Sequence, residues 1–159
     1  MQFDTVRPAI AELLYRLKYR NDQSAAADII DTSVSFLAPA QLRFDLLVPV
    51  PPSTPRAVQP VIVLATGIGA ALNIPVVNCV CMTRPTHQLK SVTDPDERRA
   101  YLDGLYAVLV DHTRGKNILL FDDLFRSGAT MNAITQVLLG AGEAASVRAL
   151  TVTKTRSNH

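Results

Sequence analysis

The sequence predicts an α/β fold in which a mostly parallel central sheet is flanked by helices. Short apolar runs alternate along the chain with segments whose apolar residues recur at helical spacing, which favours parallel strands joined by helices. One run, 118–121, is continuously apolar and ends in two adjacent carboxylates, as is typical of a buried parallel strand with a charged carboxyl end. At 159 residues, 48% apolar and 19% charged, the chain is expected to form a single domain, 1–159.

Two helices are predicted before the first strand, in an N-terminal segment of residues 1–40. The first has Pro8 near its start, and its apolar face consists of Ile10, Leu13, Leu14 and Leu17. The second follows Asp22, and its inward face consists of Ala26, Ile29, Ile30, Ser33 and Leu37.

The rest of the chain, residues 44–156, is predicted to be the core. Its strands are expected at 44–50, 75–81, 105–110, 118–121 and 146–153, and its helices at 61–72 and 134–141. Gly140 and Gly142 help to end the last helix.

The segment 118–130 gives the strongest indication of function. Asp122 and Asp123 follow the apolar run directly, and Ser127, Gly128 and Thr130 lie in the short loop before the next helix. Ligands of open α/β sheets bind at the carboxyl ends of the strands. A glycine, hydroxyls and the free N–H groups of a helix N-terminus suit a phosphate. Carboxylates beside such a loop indicate a ligand with both a diol and a phosphate, such as ribose 5-phosphate.

The sequence from Asp122 to Thr130 resembles the phosphoribosyl-pyrophosphate (PRPP) signature of type I phosphoribosyltransferases. This resemblance implies that Asp122 and Asp123 contact the ribose hydroxyls. It also implies that the 5′-phosphate is bound by Arg126, Ser127, Gly128, Ala129 and Thr130. Arg126 stands where a small residue, usually Thr, is common, and it could either add a bidentate phosphate contact or point to solvent. A solvated acidic turn after a buried strand is the alternative without function.

The resemblance implies roles for two further segments. The proline-rich loop after the first core strand would meet pyrophosphate through Ser53, Thr54 and Arg56, although such a loop taken alone is more often a turn. The polar segment 83–104 would be a flexible lid carrying Arg84, Gln88, Lys90, Arg98 and Arg99. A solvated hairpin without a role is the alternative for this second segment.

Within the superfamily, the chain most resembles the branch of the competence protein ComF and GntX. The resemblance rests on the Lys-Tyr pair in 15–20, the loop 48–51, the combination of Gln88 with 97–99, and the acidic signature. The four-cysteine zinc ribbon that often begins this branch has no counterpart here, and a longer basic segment is replaced by 56–60. The branch's role in DNA uptake is therefore not carried over directly.

We therefore expect an enzyme that binds PRPP with Mg²⁺ and transfers the phosphoribosyl group to a nitrogen acceptor, or the reverse. Mg²⁺ would be held mainly through PRPP and water rather than by direct protein ligands. The alternative is a catalytically weak nucleotide- or PRPP-sensing or partner-binding module of the ComF type. A receiver-like or phosphatase domain is disfavoured because such domains carry their key aspartate after the first strand.

The net charge and the hydropathy of the chain limit the classes of partner that the sequence predicts. A net charge of +2 does not indicate direct nucleic-acid binding, so the expected partner is a small molecule: PRPP, a nucleotide or a base. No apolar stretch approaches the ~20 residues of a membrane span, and a cytoplasmic location is expected. Apolar helix faces are compatible with a homodimer.

Overall fold

The computed structural model describes residues 8–85 and 91–155. Its helices are α1 (Ala9–Arg20), α2 (Gln23–Leu37), α3 (Pro60–Leu72), α4 (Pro95–Leu102), the short α5 (Val110–Thr113) and α6 (Ala129–Leu139), with a 3-10 helix at Ala38–Arg43. Its strands are β1 (Leu46–Pro49), β2 (Val80–Met82), β3 (Tyr106–Val108), β4 (Asn117–Phe125) and β5 (Ser146–Lys154). No helix in these two ranges combines the length and apolarity needed to cross a membrane.

The main sheet is parallel, in the order β1-β4-β5, so the predicted fold class is confirmed. Strand β4 lies in the centre and its residues 118–121 are buried. Successive residues of this strand contribute to opposite faces. Leu119 and Phe121 pack with the core beneath α1, α2 and α3, whereas Ile118 and Leu120 pack with the core beneath α6. Burial on both faces explains the continuous apolar run.

The second and third strands do not join the parallel sheet. Strands β2 and β3 form a separate antiparallel pair, in which Val80 lies opposite Val108. A parallel connection needs a crossover helix packed on the sheet, but α4 between these strands buries only Leu102. The predicted strands were also too long. Val76 makes only an isolated parallel bridge to Leu47, and Val110 begins the short helix α5.

The junction of the first two helices is fixed by a charged cap. Helix α1 ends at Asn21 in the left-handed conformation, and the Asp22 carboxylate accepts hydrogen bonds from the backbone N–H groups of Ser24 and Ala25 at the start of α2. Hydrogen bonds from Ser24 and then Arg16 lower the pKa of Asp22 to about 2. Asp22 thus stays ionised and holds the last turn of α1 in place.

Helix α3 packs closely against its neighbours through two glycines. A Cβ atom at Gly67 would overlap the Ile30 side chain of α2, and one at Gly69 would lie 2.7 Å from the carbonyl oxygen of Ile74. The spacing between α2 and α3 therefore depends on the absence of a side chain at position 67.

Candidate functional site

A cleft of about 230 Å³ opens at the carboxyl ends of β1 and β4. Six parts of the chain contribute to it: α1, the loop after β1, the start of α3, α4, β3, and the segment from β4 into α6. The lining residues are Lys18, 50–54, Arg56, 59–61, Arg98, Tyr106 and 122–131. The cleft therefore contains the predicted acid pair, the predicted phosphate loop, and the three residues predicted to bind pyrophosphate.

The acid pair lies within a strand rather than after it. Strand β4 was expected to end at residue 121, but it continues to Phe125 because β5 remains alongside, with Leu124 opposite Thr153. Strand β1 ends at Pro49, which pairs with Phe121, so beyond that point β4 is paired on one side only. Asp122 and Asp123 thus lie in the part of β4 that extends past the end of β1 and pairs only with β5.

The two carboxyl groups have different environments. Burial, followed by the negative charge of Asp123, raises the pKa of Asp122 to about 7. The backbone N–H of Asp123 donates a hydrogen bond of 2.8 Å to Oδ1 of Asp122. The Asp122 carboxyl group therefore keeps its proton to a higher pH than an exposed aspartate does.

The partner of Asp123 is a lysine from α1. The Nζ atom of Lys18 lies 2.9 Å from Oδ2 of Asp123, and the two side chains are only 18% and 15% exposed. Sequence analysis did not assign Lys18 to the site, although Lys18 belongs to the Lys-Tyr pair that marked the ComF resemblance.

The loop after β4 has the geometry of an anion site at a helix start. Gly128, with φ +79°, is the N-cap of α6 and accepts a hydrogen bond of 2.8 Å from the N–H of Asn132. A Cβ at Gly128 would lie 3.0 Å from the Phe125 ring, and the positive φ is unfavourable for other residues. The first residues of the 11-residue helix α6, 129–131, line the cleft, and the N–H of Ala129 donates to Oγ of Ser127 at 3.4 Å. Arg126 and Ser127 are exposed at the rim.

Tyr106 is a lining residue that sequence analysis missed. It is a buried residue of β3 whose hydroxyl hydrogen-bonds with the side chain of Thr130. Burial raises the pKa of the Tyr106 phenol, so the group stays protonated. No sequence signal distinguished this tyrosine, because its place beside Thr130 depends on how β3 packs on α6.

The loop after β1 is tied to α1. The Arg56 guanidinium lies 5.5 Å from the centre of the Tyr19 ring and donates a hydrogen bond of 3.3 Å to the carbonyl oxygen of Lys18. Gln59 donates to the carbonyl oxygen of Thr54 at 3.0 Å. The predicted pyrophosphate loop and Lys18 are thereby held as neighbours.

The predicted lid residues do not all reach the cleft. Arg98 of α4 lines it. Arg84 instead donates to the carbonyl oxygen of Tyr101 and lies 5.4 Å from the centre of its ring, and the exposed Arg99 pairs with Asp96 at 3.5 Å. Gln88 and Lys90 lie outside the described residues.

The chain is similar in fold to several solved structures. No family model matches the chain. Among solved structures, an adenine phosphoribosyltransferase gives a TM-score of 0.61 at 16% identity, over 87% of this chain and 75% of that one. The Saccharomyces cerevisiae adenine phosphoribosyltransferase gives 0.57 at 14% identity, over 85% and 71%. The allosteric regulatory enzyme of purine biosynthesis gives 0.55 at 17% identity, over 80% of this chain and 26% of that one.

The fold is that of the type I phosphoribosyltransferases. The competence protein ComFC of Bacillus subtilis (strain 168) is 28% identical over an alignment that covers 93% of this chain. The chain spans 61% of the length of ComFC. The solved structures confirm the fold that the sequence predicted, and the similarity to ComFC confirms the predicted resemblance to the ComF branch.

The described residues contain no group of three or more His, Cys, Asp or Glu side chains arranged to hold a metal ion. Oδ2 of Asp123 already forms an ion pair with the ammonium group of Lys18.

Proposed function

We propose that the cleft binds a ribose 5-phosphate unit and that the chain is a phosphoribosyltransferase that uses PRPP with Mg²⁺. The observation that carries this proposal is the position of the acid pair. Asp122 and Asp123 lie at the free end of β4, between the loop at the start of α6 and the loop after β1. A ribose bound to the acids would have an anion site on each side, one for the 5′-phosphate and one for pyrophosphate.

Each group of residues has a role in this proposal. Asp122 and Asp123 accept hydrogen bonds from the ribose hydroxyls. The 5′-phosphate is bound by Arg126, Ser127, Gly128, Ala129 and Thr130, chiefly through backbone N–H groups. Ser53, Thr54 and Arg56 bind pyrophosphate, and Arg98 approaches from the lid.

The proposed reaction is a substitution at C1 of the ribose. The bond between C1 and the pyrophosphate oxygen breaks and pyrophosphate leaves with the electron pair, a bond from C1 to the acceptor nitrogen forms, and the proton of the acceptor passes to water. Positive charge develops at C1, and the carboxyl oxygens that accept hydrogen bonds from the ribose hydroxyls help to stabilise it. Mg²⁺, bound through pyrophosphate oxygens and water, would supply positive charge to the leaving group. The cleft contributes mainly by positioning the two reactants.

The second candidate function is a PRPP- or nucleotide-sensing module, or a partner-binding module, of the ComF type linked to DNA uptake. The similarity to ComFC over 93% of this chain favours it. Arg126 at the rim of the phosphate loop also favours it. This candidate predicts binding of PRPP without transfer.

Calorimetric titration with PRPP and Mg²⁺, followed by a pyrophosphate-release assay on a panel of bases and amines, separates the two candidates. Binding and release with one acceptor support the enzyme, whereas binding without release supports the sensing module. The double variant Asp122→Asn/Asp123→Asn tests the site itself. Each lost hydrogen bond to a charged group should weaken binding by about 10- to 150-fold.

Asp31→Asn is the matched control, because Asp31 is an exposed acid of α2 outside the cleft. Unchanged PRPP affinity in a folded double variant would show that the ribose does not bind at the acid pair.

A further inference from the structure

Tyr106 is a buried polar residue in the wall of the cleft, and the proposed reaction gives it no role. It is 8% exposed and belongs to the same core cluster as Met131 and Ile134 of α6. Its hydroxyl group hydrogen-bonds with the side chain of Thr130, and both residues line the cleft. Tyr106 lies on β3, outside the segment 122–130. It therefore connects a separate strand to the loop that would bind the 5′-phosphate.

The Tyr106 phenol acts as a neutral donor. Burial is the largest influence on its pKa and raises it above the ordinary value, whereas the hydrogen bond with Thr130 lowers it. The charges of Asp122 and Arg98 act on the same pKa in opposite directions, so the hydroxyl group lies near the acid pair and α4 as well. At neutral pH the phenol keeps its proton and has one O–H group to donate.

A bound phosphate would fix the direction of the hydrogen bond between the two hydroxyl groups. Each hydroxyl group has one proton to donate and can also accept. A phosphate dianion only accepts, so a Thr130 hydroxyl that bonds to it has used its own proton and must accept from Tyr106. Tyr106 then donates to Thr130, and Thr130 donates to the phosphate. Each bond in such a chain polarises and strengthens the next.

We propose that Tyr106 is a positioning residue for the 5′-phosphate: its O–H group donates to Thr130 and thereby directs the Thr130 proton to the phosphate. This inference rests on the proposed ribose-phosphate site and adds to it a residue from outside the motif. Because β3 directly follows α4 in the chain, the strand after the lid contributes to phosphate affinity. Ligands without a 5′-phosphate do not depend on this contact.

Calorimetry with two ligands, PRPP with Mg²⁺ and inorganic pyrophosphate with Mg²⁺, tests this role. Tyr106→Phe removes one oxygen atom and keeps the ring in the core. The variant should bind PRPP about 2- to 12-fold more weakly, which corresponds to the loss of one ordinary hydrogen bond. Pyrophosphate has no 5′-phosphate, so its affinity should agree with that of wild type within about twofold.

A double-mutant cycle separates positioning from packing. Thr130→Val should weaken PRPP binding by about 10- to 150-fold, because it removes a donor to a charged group, and Thr130→Ser should retain most of the affinity. The double variant Tyr106→Phe/Thr130→Val should bind PRPP as Thr130→Val alone does, since Tyr106 acts through Thr130. If Tyr106 served only to pack β3 against α6, the two losses would multiply instead.

Tyr19→Phe is the matched control, because Tyr19 is 64% exposed and does not line the cleft. Its ring, which the substitution retains, would still lie beneath Arg56. If Tyr106→Phe proves unstable, 4-fluorophenylalanine at position 106 makes the same test with a ring of nearly the same size and no donor.

Three results would overturn the inference while leaving the proposed function intact. The first is a Tyr106→Phe variant that binds PRPP as tightly as wild type. The second is an equal loss of affinity for PRPP and for pyrophosphate, and the third is a pair of losses that multiply in the double variant. A wild-type protein that does not bind PRPP, even with Mg²⁺, would refute the proposed function and this inference together.

Discussion

Replacing Asp122 with Asn should stabilise the ligand-free protein at pH 8 and weaken its binding of ribose phosphates. The Asp122 side chain is partly buried and next to Asp123, and desolvation followed by the charge of Asp123 raises its pKa from 3.8 to about 7. An Asn side chain is neutral at every pH and retains an oxygen that accepts the hydrogen bond from the N–H of Asp123. The variant therefore removes the charge that folding disfavours and keeps the shape of the group.

The size of the effect follows from the difference in pKa. Between about pH 4 and pH 7 the folded chain binds a proton that the unfolded chain has already released. The free energy of unfolding therefore falls as pH rises through this window and levels off above it. At pH 8 the difference of about three pKa units lowers the free energy of unfolding by about 2–4 kcal/mol. The upper value applies if the whole pKa difference is expressed in stability. For a chain of this size, the variant should melt about 5–10 °C higher at pH 8.

Urea unfolding of wild type and Asp122→Asn at half-unit intervals from pH 5 to pH 8 measures this difference. The wild-type free energy of unfolding should decline across the range, and that of the variant should decline less. Asp123→Asn is the comparison, because it removes the partner of Lys18 and should give no matching gain in stability. Parallel pH profiles for wild type and Asp122→Asn would refute the assignment of a shifted carboxyl group. Calorimetry in two buffers at pH 6.5 completes the test, since ribose binding to the ionised acid should release a proton.

Three further predictions concern the phosphate loop and the lid. Gly128→Val should abolish binding of nucleoside 5′-monophosphates but spare nucleosides, because a side chain at φ +79° meets the Phe125 ring and distorts the loop. Titration of both ligand classes checks this, and retained nucleotide binding would place the phosphate elsewhere. Arg126→Thr should weaken phosphate binding by about tenfold through loss of a charged contact. Unchanged affinity with new pyrophosphate release would instead favour the sensing module. Amide hydrogen exchange across 91–102 should be fast in the free protein and slower with PRPP and Mg²⁺, whereas equal exchange in both states would make this segment passive.

Local sequence patterns were sufficient for the first three helices. The apolar spacing and the preceding polar or proline residue located α1, α2 and α3 within a few residues of their observed bounds, because these signals act within one or two turns. Features that depend on a distant partner were not predictable in this way. Strand β4 extends to Phe125 only because β5 accompanies it, and β2 and β3 run antiparallel because α4 does not cover the sheet.

The same distinction applies to the candidate site. Asp122 and the loop to Thr130 are contiguous in sequence, so their spacing alone indicated a ribose-phosphate site. Lys18 and Tyr106 reach the cleft from α1 and β3, and their places depend on how those elements pack. The Lys-Tyr pair contributed to the resemblance to the ComF branch, but it did not indicate that Lys18 would form an ion pair with Asp123, more than a hundred positions later.

The close contact at Gly67 bears on how this fold could be adapted to other acceptors. Helix α3 follows the loop after β1 and also packs against α2 at Gly67, where any side chain would collide with Ile30. A wider cleft on that side would disturb the contact between α2 and α3. Helix α4 contributes Arg98 to the cleft and buries only Leu102, so its other positions can change with little effect on the core. Natural or laboratory variation that admits a bulkier acceptor is therefore expected to accumulate on α4 and the residues beside it.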